Sequence, residues 1–139
     1  LAAARLFSRK QEGALMFGSV EPTPFDLRFT LFGIPVRIHP FFWLVALAMG
    51  WRPGNPAAIV IWVLCVLISI LVHEFGHALT AQHFGWRPHI VLHAFGGYAS
   101  YVPTWGHNTL RSVLVTAAGP GAGFVLYGAV LLVEMWMVN

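Results

Sequence analysis

The sequence predicts an all-α membrane protein, with about three transmembrane helices and a short β-hairpin between the second and the third. Three observations predict it. Of 139 residues, 58% are hydrophobic and only 9% charged, where soluble domains carry about a quarter charged residues. Long uncharged runs recur along the chain, and segments rich in proline and glycine separate them. The formal charge of +3 in so apolar a chain reads as a topology signal, and no nucleic-acid-binding motif accompanies it. The lone cysteine, Cys65, excludes an intramolecular disulfide and a cysteine metal cluster and reads as a packing residue.

Residues 1–30 read as a polar leader. They are basic, they lack the apolar core and small-residue cleavage site of a signal peptide, and Pro22, Pro24 and Asp26 interrupt any long helix. Residues 31–139 form the membrane-embedded core, beginning with "LFGIPVRI", a short strand or interfacial segment. The apolar run Pro40 to Trp51 is short for a span, since the hydrocarbon core needs about 20 helical residues. Extended back to Ile34 it makes the first transmembrane helix, with Arg37 and His39 snorkelling to the head groups and Trp43 and Trp51 as interfacial anchors. After "RPGNP", the second helix runs from Ala57 to about Phe84, with no charge between Ala57 and Val72. Gly85 and Pro88 stop it, and a hairpin turning at Gly96 and Gly97 follows. The third helix covers about Thr109 to Val138. Arg5, Arg9, Lys10, Arg28 and Arg37 precede the first helix and Arg87 and Arg111 flank the hairpin, which predicts a multi-pass protein with cytoplasmic N-terminus and hairpin.

Within the second helix, "HEFGH" places His73 and His77 four residues apart on one helical face with Glu74 beside them. Two imidazoles suit one zinc ion, and an uncoordinated carboxylate next to them suits a general base that takes a proton from water. Ionisable groups at bilayer depth are costly, about 2.5–3.5 kcal/mol each on insertion scales, so three of them at ligand spacing point to function.

These residues and others in order resemble the site-2 protease family of intramembrane zinc metalloproteases. The resemblance covers roughly Phe29 to Val133 and is carried by "HEFGHALTAQHFG" at 73–85, "AFGG" at 94–97 and "AAGPGAGF" at 117–124, with "LFGIPVRIHPFF" leading in. It implies zinc held by His73 and His77, Glu74 as catalytic base, and cleavage of membrane-embedded or membrane-adjacent polypeptides, often transcription factors or anti-sigma factors. The hairpin around Phe95, Gly96 and Gly97 would offer an unpaired edge to a substrate strand, giving the unwound backbone hydrogen-bond partners; it also reads as a plain connecting turn. The run Ala117 to Gly123 reads as a close-packing face for the second helix. The family's asparagine position is here Gly123. A homo-oligomer is compatible with the sequence.

A catalytic zinc usually takes three protein ligands. The resemblance implies an aspartate from a later Asp-Gly motif, absent from these 139 residues. His83 has the spacing of a metzincin third histidine, but Thr80 stands where that motif has glycine. On a continuous helix His83 points about 240° away from His77. Glu134 lies at the far end of the third helix, about 25 Å away at 1.5 Å per residue, and Asp26 sits in the leader. His89, His93 and His107 are on the right side of the membrane and read singly as hairpin or interfacial histidines. The expectation is therefore an N-terminal part of a longer enzyme, with a catalytically silent membrane binding protein as the alternative.

Overall fold

A computed structural model describes residues 20–102 and 108–138. Its elements are β1 (Leu27–Leu31), β2 (Ile34–Ile38), α1 (Pro40–Met49), α2 (Pro56–His83), β3 (Arg87–His93), β4 (Gly96–Val102) and α3 (Thr109–Val138). The four strands form one mixed sheet in the order β1-β2-β3-β4, with β2 and β3 parallel and the outer pairs antiparallel. The expectation of an all-α protein with three membrane spans is therefore corrected. Among the described residues only α2 and α3 are long and apolar enough to cross a bilayer, with mean hydropathies of 2.5 and 1.8 over their best windows. Only 6% and 0% of those windows is buried, the reverse of a soluble core helix, so these apolar faces suit lipid.

The expected first span fails because its leading residues form a strand. Ile34, Val36 and Ile38 point into the core while Pro35 and Arg37 point away, a period of two. The helix that follows has 10 residues, about 15 Å, half the hydrocarbon thickness. His39 starts it by accepting a hydrogen bond at Nδ1 from the Phe41 N–H (3.2 Å), with Pro40 in the first turn. Trp62 Nε1 donates to the Ala46 carbonyl (3.1 Å) and fastens α1 along the first half of α2. Arg37 does not reach for head groups. It pairs with Asp26 at 3.0 Å and donates to the Val20 carbonyl at 2.6 Å.

The last residues assigned to the leader, 27–30, belong to β1, joined to β2 by a tight turn at Phe32 and Gly33. Phe32 has φ 53°, a conformation that strains a bulky residue. Its ring meets Phe75 of α2 edge-on at 5.7 Å, and its carbonyl accepts a hydrogen bond from Gln82 Nε2 (3.3 Å). The β3–β4 hairpin forms as expected, but it turns at Ala94 and Phe95, and Gly96 and Gly97 are the first residues of β4. Two clusters hold the layers together. Ile34, Val36, Ile38, Ile90 and Leu92 of the sheet meet Phe42 of α1 and Phe75 and Ala78 of α2, and Ala81, Trp86 and Val115 join α2 to α3. The long helices match their expected ranges to within one residue.

Candidate metal and hydrolytic site

One turn of α2 brings the polar triplet into a cleft of about 340 Å³ between α2, β4 and α3, lined by His73, Glu74, His77, Gly97, Tyr98, Ala99, Tyr101 and Thr116. His73 and His77 approach through their Nε2 atoms, 3.2 Å apart. The Nδ1 of His77 faces the Val115 carbonyl at 2.7 Å. A carbonyl only accepts, so Nδ1 carries the proton and Nε2 keeps its lone pair. The chain thus aims that lone pair at the neighbouring imidazole. Two nitrogens about 2.0–2.1 Å from one tetrahedral zinc stand about 3.3 Å apart, and the observed 3.2 Å matches that separation.

Room for this comes from α3. A Cβ added at Gly119 would run into the His77 ring, and one at Gly76 would meet the Ala118 carbonyl, so small residues on both helices let them close on the site. Glu74 is 6% exposed and held from the other side. The Ala99 backbone faces its carboxylate as a hydrogen-bond donor. A Cβ at Gly97 would come within 2.9 Å of Glu74 Cγ, so β4 can approach α2 only with glycine there.

Two known proteins are similar to this chain. Over 89 residues the chain is 37% identical to Stage IV sporulation protein FB of Bacillus subtilis (strain 168), spanning 63% of this chain and 29% of that protein. The fold matches the Site-2 Protease from Methanocaldococcus jannaschii with a TM-score of 0.61 and 24% identity, over 81% of this chain and 52% of the other. In sequence the chain resembles members of the site-2 protease family, and it shares their fold. No family sequence profile matches it. The matched region is under a third of the curated relative and about half of the solved protease.

The chain brings together His73, Glu74, His77 and Gly97 in one cleft. Gly96 lies one residue outside it, and Phe95, 95% exposed, projects from the hairpin tip. Among the described residues no group of three metal-ligating side chains forms. His83 ends α2, exposed, with its ring against Phe84. His89 faces outward on β3, and partial burial together with the nearby Arg37 lowers its pKa. His93 packs near Phe95 and Tyr98. Asp26 is committed to Arg37, and Glu134 lines a separate apolar groove near the end of α3. His107 lies outside the described residues. Sequence reasoning passed over the Val115 carbonyl, Ala99 and the role of Gly119. Backbone atoms carry no signature in a sequence, although Gly119 did stand in the small-residue run read as packing.

Proposed function

We propose that the chain carries the zinc-binding and base half of an intramembrane metalloprotease active site. The observation that supports this most is the convergence of the His73 and His77 Nε2 atoms at 3.2 Å beside Glu74. His73 and His77 would hold zinc, and the third ligand would come from outside the described residues. Zinc in such a site supplies Lewis acidity toward the scissile carbonyl and toward water. Glu74, beside the pair and held by β4, takes the proton of the attacking water and delivers it to the leaving amine.

The substrate is a membrane-embedded or membrane-adjacent polypeptide. Among the described residues β4 pairs only with β3 and is an edge of the sheet. Its free edge takes the unwound substrate as an added strand, with Phe95, Gly96 and Gly97 at the start of that edge. The N-terminus and hairpin face the cytoplasm in this reading, following the arginine distribution. Gly123, with open space where a Cβ would stand, and the absence of a three-ligand group among the described residues favour a second reading, a silent relative that binds a membrane partner without cleaving it.

Cleavage of a membrane-tethered substrate by the wild-type protein and by Glu74→Gln separates the two. The protease reading expects the variant to lose about 10²–10⁴-fold in rate while still binding zinc. Equal substrate loss from both proteins, or none from either with zinc added, overturns it.

A further inference from the structure

We infer that the pocket between α1, the first half of α2 and the β3–β4 turn receives one large apolar side chain of the polypeptide substrate. The inference rests on the reading of β4 as the substrate's docking edge and adds a sequence requirement to it. The pocket measures about 550 Å³, and every residue lining it is apolar. Phe42 and Ala46 of α1, both buried, form its floor, Val66 and Ile70 of α2 its side wall, and the exposed Phe95 stands at its rim on the hairpin tip.

Trp62 closes the far end. Its Nε1 donates to the Ala46 carbonyl at 3.1 Å, and a Cβ at Gly50 would run into the indole, so the last residue of the α1 turn is one that lets the ring lie there. With its N–H satisfied inside the protein, the indole offers the pocket an apolar surface.

Two elements lead from this pocket to the hydrolytic cleft in the same direction. On α2, Trp62, Val66, Ile70 and Glu74 follow one another at a spacing of four, neighbours along one side of the helix. On the hairpin, Ala94 and Gly96 line the pocket, and Gly97 and Ala99 line the cleft. The two hollows share a wall where Gly97 abuts both Ile70 and Glu74. Ile70 and Val66 precede Glu74 by about 6 and 12 Å of helix, which an extended chain covers in about two to four residues. A substrate strand laid along β4 and continuing past the hairpin tip therefore brings a side chain to the pocket while its scissile bond lies at Glu74. Strand side chains alternate, so of two adjacent substrate positions only one can enter. A hollow that shares a wall with the cleft serves the molecule that occupies the cleft.

The test uses the full chain in vesicles and a membrane-tethered host segment of glycine, serine and alanine, in which one position at a time becomes leucine or the photocrosslinker p-benzoylphenylalanine. Leucine at one position, about two to four residues from the bond that product mass spectrometry shows to be cut, should raise kcat/KM about ten- to hundred-fold over alanine, and leucine at the adjacent positions should not. Val66→Phe fills the pocket and should bring that ratio close to one. Val66→Ala enlarges it and should shift the optimum to tryptophan, both variants keeping the wild-type circular dichroism. A ratio equal in wild type and both variants overturns the pocket, as does a leucine preference at no fixed distance from the cut. Crosslinking is read in Glu74→Gln, where no cleavage is needed, and one host position should attach to Val66, Met49 or Phe95. Such crosslinks without any cleavage by the wild type uphold the pocket and remove the protease reading. Cleavage without them keeps the protease and removes the pocket, and their absence overturns the pocket whether or not the wild type cleaves.

Discussion

The two sides of α2 treat the same polar turn differently. On the α3 side, Gly119 and the Val115 carbonyl fix the ring of His77. On the sheet side, Gly97 and the backbone of Ala99 fix Glu74. The His77 imidazole is thus oriented by a helix and the carboxylate by a strand, through separate contacts. Metal affinity and proton transfer should then be separable by mutation, one partner element at a time.

After Glu74→Gln itself, the largest effect is expected from the sheet side. Gly97→Ala would place a methyl group 2.6 Å from Leu92 Cδ2 and 2.9 Å from Glu74 Cγ, and the strand must retreat. A displacement of about 1 Å costs about 100-fold in rate, while zinc content, measured by plasma mass spectrometry, stays at the wild-type value. Loss of zinc in this variant would break the division of labour. From the α3 side, Gly119→Ala turns the His77 ring and should lower zinc affinity about 10- to 100-fold in a chelator competition, with activity recovering as zinc is added. Unchanged affinity would show that Gly119 does not set the ring.

Phe95→Ala removes an exposed side chain that lies outside the cleft of His73, Glu74 and His77. It should raise KM about five-fold, as loss of an aromatic anchor does, with kcat unchanged; a fall in kcat alone would remove the hairpin tip from substrate binding. The smallest effect is acid-dependent. Burial pushes the Asp26 carboxyl up, but hydrogen bonds from Thr23 and the Arg37 guanidinium outweigh it and hold the pKa at about 2. A depressed folded pKa stabilises fully above the ordinary value near 3.8 and is lost as pH falls toward 2. Hydrogen exchange of β1 and β2 amides should accelerate over that interval and not in Asp26→Asn, with the α2 amides indifferent.

Much of this was legible in local pattern. The uncharged runs gave α2 and α3 nearly to the residue, and HEFGH named the polar turn. The hairpin was visible too, although its turn sits at Ala94 and Phe95 because Gly97 is needed where β4 meets Glu74. The sheet was not legible as a whole. Its parallel pairing of Val36 with Ile90 joins segments on either side of two helices, and no local periodicity records such a partner. "IPVRI" does alternate, but its apolar residues run straight into Pro40, and continuity of hydrophobicity suggested one helix where there is a strand, a capping histidine and a short helix. The Arg37–Asp26 pair was hidden by the same error, since each residue had been given a surface role.

The parallel strand pair also orders events in time. β2 is made early and β3 late, so they cannot meet until α1 and α2 have been synthesised and folded back, and closing so long a loop is slow. β4, which holds Glu74 through Gly97, docks only on a completed β3. During biogenesis the imidazoles of α2 are therefore in place before the strand that steadies the carboxylate.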